Sequence, residues 1–429
     1  MTLIQVPYGQ RRLCAEMAWG RSLGVIEIAD APALDDVEAA LREGLARPIG
    51  MAAHFFDGVR AGASVAVVVS DAYRQTGVHE YLPALLSELG RVGVRDANIR
   101  FVFASGTHRV PTPDQQRSIL GPEVYARFRD RAYTREAYND DRHVYIGATS
   151  RGTPVELDRL AVECDHIVAT GAIVLHYFGG FGGGRKSIVP GLASARTIAH
   201  NHAMNLHPTE GRLHPDVRIG VLDGNPVAED MLEAAKLARV HGIINTVMNR
   251  HGRIAGLFVG ELDQAHRKGA EFARSLFSVP IAERADLVIA SAGAARNYVQ
   301  SHKALYNAYQ AMKPGGRIVY LAPCAEGLGG EQIEKWLRLG GVEAIIASLR
   351  KQSEIYGQTA LSTREKSPSA IMVTELPDDA VALIGARRAP SLEEALRIAR
   401  NELPDKASYY VMPSASYTVP WCHERLDGS

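Results

Sequence analysis

The chain has 429 residues, too many for one ordinary hydrophobic core, so two domains are expected. With 46 % hydrophobic residues, 22 % charged residues and a formal net charge of zero, it reads as a soluble globular protein with no basic excess for nucleic acid and no charged, disordered tail. The N-terminal MTLIQVPYGQRRLCAEMAWG lacks the pattern of a signal peptide, no apolar run nears the ~18–20 residues of a membrane span, and Cys14, Cys164, Cys324 and Cys422 form neither a metal spacing nor a disulfide framework, so a cytoplasmic location is expected.

Short β-branched runs alternate with helical patterns along the chain. SVAVVVSD (64–71) predicts a buried strand ending in polar residues, and HEYLPALLSELGRVGV (79–94) a helix. NIRFVFASGTHR (98–109) predicts a second strand, and DHIVATGAIV (165–174) a third that runs into a glycine-rich loop. Past residue 280 a second series begins: a strand at ADLVIASAG (285–293), a helix at QSHKALYNAYQAMK (300–313) closed by Pro314-Gly315-Gly316, and a strand at GRIVYLAP (316–323). DAVALIG (379–385) continues the apolar runs of that series, followed by a helix at SLEEALRIARNEL (391–403) with a Ser391…Glu394 capping box, and by ASYYVMP (407–413). The pattern predicts an α/β protein of two α/β domains, 1–275 and 276–429, with mostly parallel sheets and an active site in the cleft between them.

In such sheets, sites form at the carboxyl ends of the strands. The clusters Asp71–Arg74, Ser105–Arg109 and His176–Lys186 all follow strands directly. The last contains FGGFGGG before Arg185, Lys186 and Ser187. Bare backbone of this kind admits close approach of another group, or turns its N–H groups toward an anion. It is not a phosphate-binding P-loop, because the lysine follows arginine rather than glycine. Among fifteen histidines, position singles out His108, at a strand end, His176, just before the glycines, and His202, in a predicted helix at ARTIAHNHAMNLH. Spacing alone does not separate His202 from His200 and His207. Paired imidazoles suit acid–base work near neutral pH, and a third suits metal ligation. Asp71 and Arg74 offer a carboxylate and a carboxylate-binding guanidinium, or else a plain surface pair. Gln300 and Lys303 open a helix that is either functional or simply solvated.

These residues carry a resemblance. S-G-T-H-R with D-x-x-R upstream, then H-Y-F-G-G-F-G-G-G-R-K-S-I-V-P-G, then N-H, resemble the nickel-dependent lactate racemase family over most of the chain. The resemblance implies a nickel-pincer nucleotide (a pyridinium-3,5-bisthiocarboxylic acid mononucleotide binding Ni), joined covalently to Lys186. His202 then completes nickel coordination, and Asp71, Gly182, Gly183, Gly184 and Arg185 fall to the cofactor site. His108 and His176 match the acid–base pair, and Arg74, Gln300 and Lys303 match substrate-binding positions. The implied reaction is racemisation or epimerisation of a 2-hydroxy acid, by hydride removal from Cα and its return through a 2-keto acid. The implied partners are that small-molecule substrate and cofactor-biosynthesis proteins; a homo-oligomer is left open.

The family's pattern carries a tyrosine just before the glutamine matching Gln300. Here Val299 stands in that place, with Tyr298 shifted by one; Tyr356 is a candidate for the pocket tryptophan, and Trp336 comes too early. A pocket changed in this way leads us to expect an acid bulkier than lactate. Two other readings of the same residues are a zinc-dependent hydrolase or lyase using the three histidines, and a non-catalytic ligand-binding module.

Overall fold

Strand–helix alternation does produce parallel sheets, one in each of two units. A computed structural model describes residues 2–422, and residues 423–429 of the expected C-terminal domain lie outside the described residues. Asp30–Leu276 form one compact unit, and the stretch through Ala29 joins the stretch from Phe277 onward in the other.

The sheet of the 30–276 unit runs in the order Ile254–Gly260, Gly242–Met248, His166–Ala172, Val65–Ser70, Ile99–Ala104, Ala132–Tyr133. Every neighbouring pair is parallel except the edge pair of Ile254–Gly260 with Gly242–Met248. Val65–Val69 are at most 1 % exposed, which is why that run is uniformly apolar rather than alternating: both sheet faces are covered. The helix expected over 79–94 is Leu82–Arg91, with Pro83 in its first turn, where a missing N–H costs nothing. It lays Leu82, Leu85, Leu86 and Leu89 onto the sheet.

The strand order places a topological switch in the middle of this sheet. From Val65–Ser70 the chain moves to Ile99–Ala104 on one side and later returns to His166–Ala172 on the other. Connections leave in opposite directions there, so the carboxyl ends of the two central strands open a crevice. Asp71 directly follows one of them and the glycine loop follows the other, with the Ser105–Arg109 turn after the neighbouring strand.

The second unit holds a fully parallel sheet in the order Arg387–Ala389, Ala370–Val373, Met312–Leu321, Ala285–Ser291, Ser408–Met412, Arg21–Val25. Residues 2–29, expected in the first domain, therefore belong here. Arg21–Val25 completes this sheet, and the hairpin of Thr2–Tyr8 with Arg11–Met17 buries Ile4, Val6 and Met17 against Leu287, Val319 and Leu396. The run at 379–385 is a helix, Asp378–Ile384, favoured by two acidic residues in its first turn and by Gly385 in the left-handed region at its end. The helix expected over 300–313 is Tyr298–Gln310, capped by Asn297, and Pro314-Gly315-Gly316 lie within the strand Met312–Leu321. Ser391 caps Leu392–Glu402 by accepting the Glu394 N–H.

The N-terminal hairpin is thus core of the second unit. Ile4→Ala should cost about 2–5 kcal/mol of that unit's stability. A chain starting at Asp30 should lose the cooperative urea transition of the 277–422 sheet, as read by circular dichroism.

Candidate active site

The site is built from three strand ends of the 30–276 unit. Asp71, 2 % exposed, ends the first. Its Oδ1 accepts the Tyr73 N–H at 3.0 Å, and its Oδ2 lies 2.7 Å from His108 Nδ1. The short turn aims the carboxylate at His108 rather than at Arg74, whose side chain is exposed and whose N–H donates to the Asp71 carbonyl. A carboxylate oxygen accepts, so His108 carries its proton on Nδ1 and presents the Nε2 lone pair. The Tyr73 ring lies 5.1 Å from the His108 ring.

A residue that carries no sequence signal fixes the His108 turn. Arg135, 1 % exposed, donates from Nη1 to the carbonyls of Gly191 (2.8 Å) and Gly106 (3.4 Å), and from Nη2 to that of Ala193 (2.7 Å). Gly106 N–H also donates to the Gly191 carbonyl. The guanidinium therefore straps the Ser105–Arg109 turn to the segment leaving the glycine loop. Burial pushes its pKa down to about 10, opposed by Asp158. Besides His143 Nε2 at 2.8 Å and Asp158, its contacts are these three carbonyls, two of them more than fifty residues away, and no local pattern announces them.

The glycines are bare mainly to make room for protein. A Cβ at Gly180 would meet the Val221 carbonyl oxygen at 2.0 Å, at Gly184 the His266 ring at 2.5 Å, and at Gly183 Asn245 Oδ1 and Ile173, both at 2.9 Å. At Gly182 it would press on Val174. Gly180, Gly183 and Gly184 also have positive φ. Asn245 Oδ1 accepts the Gly184 N–H, and His266 reaches the Gly182 carbonyl through Nε2. Arg185, expected among the cofactor contacts, turns beneath the loop: it is 1 % exposed and donates to Asp263 Oδ1 (2.6 Å) and the Ala228 carbonyl. Gly179 is the glycine that faces chemistry, toward Lys186 Nζ and His176 Nδ1.

Above the loop the expected groups come together. His176 Nδ1 accepts the N–H groups of Gly179 (3.1 Å) and Phe178 (3.4 Å), and its Nε2 lies 3.0 Å from Lys186 Nζ, so both ring nitrogens face donors. The buried Phe178 ring is the shared wall. Its centroid lies 4.6 Å from that of His176, 4.9 Å from Lys186 Nζ and 4.7 Å from the His202 ring. Sequence reasoning passed over it, although its place beside His176 was the available clue.

His202 is separated from its competitors here. It lies on the helix Ala195–Ala203, capped by Ser194, and is 5 % exposed; His200 is exposed, and His207 lies beyond the helix, beside Glu210. Burial drives its pKa down to about 3, with the charges of Lys186 and His108 acting in the same direction. Among the described residues, no three His, Cys, Asp or Glu side chains gather as a metal cage, so His108, His176 and His202 do not form a protein-built zinc site. In the other unit, Gln300 and Lys303 are exposed on Tyr298–Gln310, and Gln300 Oε1 accepts the Arg296 N–H. Val299 packs by Gly329, and Tyr298 is buried with its hydroxyl on Thr363 and Ser367.

Comparison with known proteins gives the same constellation a context. Residues 8–212 match the model of the lactate racemase N-terminal domain, and residues 281–417 that of the lactate racemase C-terminal domain. The chain is 33 % identical to the lactate racemase of Thermoanaerobacterium thermosaccharolyticum, over 79 % of this chain and 78 % of that one. It is 30 % identical to the lactate racemase of Lactiplantibacillus plantarum, over 77 % of each. The structure of the lactate racemase apoprotein from T. thermosaccharolyticum superimposes with a TM-score of 0.87 at 29 % identity, covering 98 % of this chain and all of the other. A Thermotoga maritima protein, 18 % identical with a TM-score of 0.64, shares the fold.

His202 and His266 are both buried, with pKa values pushed from the ordinary 6.5 down to about 3. Between those values the unfolded chain binds protons that the folded one does not, so stability falls as pH drops below 6.5. At pH 5 each should cost about 2 kcal/mol. Urea unfolding of the 30–276 unit between pH 7.5 and 5 checks this, and His266→Gln should flatten the slope.

Proposed function

The chain belongs to the lactate racemase family, and from that premise we propose that it inverts the carbinol carbon of a 2-hydroxy acid, with His108 and His176 as its proton-transferring pair. One observation carries this reading: each of the two imidazoles is anchored through Nδ1, by a carboxylate in one case and by backbone N–H groups in the other, and turns Nε2 outward. His108 donates a hydrogen bond from Nδ1 to Asp71 and offers a basic Nε2; His176 receives backbone N–H groups at Nδ1 and holds Nε2 beside the Lys186 amine. A ligand-binding module has no need of such a pair, whereas inversion at a hydroxyl-bearing carbon needs one group to take the hydroxyl proton and another to return one.

The residues present fit a nickel-pincer nucleotide. Lys186 supplies a half-buried primary amine for covalent attachment, and His202 supplies one buried neutral imidazole where the described residues assemble no cage of their own. When bound, that group supplies a reversible hydride acceptor. The protein does the rest. Arg74, exposed beside Asp71, is a planar fork for the substrate carboxylate. His108 Nε2 takes the hydroxyl proton as the alcohol becomes a ketone. His176, once protonated, returns a proton when the planar 2-keto acid is reduced from its other face. The opposite direction of turnover starts from the opposite protonation, which the exposed ring of His108 can reach by exchange with water.

Cofactor-loaded protein should interconvert enantiopure 2-hydroxy acids, read by chiral chromatography. His108→Ala and His176→Ala should each lose at least ~10²-fold in kcat with nickel retained. Near-normal rates in both would overturn the assignment. Intact-protein mass spectrometry should place a mass addition on Lys186 that is absent from Lys186→Ala; an adduct elsewhere would reject that residue as the anchor.

A further inference from the structure

We infer that Asn201, backed by Asp230, is a positioning residue that fixes the tautomer of His202 and so decides which of its nitrogens can bind a metal. The inference rests on the reading of His202 as the nickel ligand.

The argument starts from groups that accept hydrogen bonds and have no proton to give. The Val227 carbonyl lies 3.1 Å from Asn201 Nδ2 and Asp230 Oδ2 lies 2.9 Å from it. A carbonyl oxygen only accepts, so the amide nitrogen has to face that side and the amide oxygen the other. That oxygen is 3.1 Å from His202 Nδ1. His202 must then donate from Nδ1, which leaves Nε2 as the nitrogen with the lone pair. Asn201 and Asp230 are both fully buried, so water does not compete for these bonds. Asp230 is itself held by Thr149 at 2.5 Å and Thr153 at 2.9 Å, and it caps a chain that runs from two hydroxyls through a carboxylate and an amide to the imidazole. Metal-binding histidines are commonly oriented by the partner of their other nitrogen, and each link here polarises the next.

The structure holds its own control. His266, equally buried, accepts from Arg185 at Nδ1 and so donates from Nε2 to the Gly182 carbonyl. It is the opposite tautomer, fixed by the same kind of reasoning in the same unit.

The test is nitrogen-15 NMR of histidine-labelled, cofactor-free protein at neutral pH, with the His202 signals identified by their loss in His202→Ala. The expected spectrum has a protonated Nδ1 and a lone-pair Nε2 for His202, and the reverse for His266. Asn201→Leu should shift His202 toward the Nε2-protonated form while leaving His266 unchanged, which shows that the fold survives. In cofactor-loaded protein the same variant should keep the Lys186 mass addition but lose nickel to a chelator 10–100-fold faster. A wild-type His202 protonated at Nε2 would overturn the inference whatever happens to nickel. The expected tautomers, together with unchanged nickel retention in His202→Ala, would overturn the ligand reading instead.

Discussion

The site depends on clearance around one segment of backbone. No side chain fits at Gly180, Gly183 or Gly184, because a carbonyl oxygen, an amide and an imidazole of the same protein already stand where a Cβ would go. The loop is therefore clamped, and its composition reflects crowding rather than mobility. Ordering backbone costs about 1–2 kcal/mol per residue, and most for glycine, so a segment this rich in glycine holds one shape only because its surroundings dictate it. Asn245, His266 and Arg185 supply those surroundings from below. His176, Phe178 and Lys186 are in register above because the backbone between them has nowhere else to go.

Much of this could be read from residue order, and the parts that could not have physical reasons. The buried central strands announce themselves as uninterrupted apolar runs, and the polar residues right after them mark the carboxyl ends where parallel sheets place sites. The motif Asp71-x-x-Arg74 suggests an ion pair within the motif. The turn instead hands the carboxylate to His108, a contact between two strands that no spacing rule encodes. The five apolar residues at 380–384 suit a strand or a helix equally, and Pro377, the acidic first turn and Gly385 decided the matter. Residues 2–29 carry no local sign of which unit they join, and only the pairing of Arg21–Val25 with Ser408–Met412 and the packing of the hairpin assign them. Arg135 was invisible because its function lies in three distant carbonyls rather than in a motif.

Proton placement follows one rule across the site. Each imidazole has one nitrogen committed to a partner that can play a single role. Asp71 can only accept from His108, and the backbone amides can only donate to His176. The Gly182 carbonyl can only accept from His266. Burial holds the His266 pKa far below the ordinary histidine value, so that ring keeps its neutral form where exposed histidines change charge. In an interior of low polarity such bonds strengthen one another, and a mismatched proton would be expensive. The chemistry of four similar rings is thereby differentiated without any of them differing in composition.

Building one unit from both ends of the chain sets an order of assembly during synthesis. Residues 30–276 carry everything needed for their own sheet and can finish it while the ribosome is still at work. The hairpin that buries Ile4, Val6 and Met17 leaves the ribosome earlier still, yet its partners come from 285–412. The apolar face of this β-hairpin must therefore wait, uncovered, through the translation of more than two hundred residues. Such a segment is open to wrong pairings and to capture by chaperones for that whole interval. The glycine loop and its neighbouring histidines, by contrast, are complete before the second unit exists, so the half of the molecule with the most exacting geometry is the half that does not have to wait.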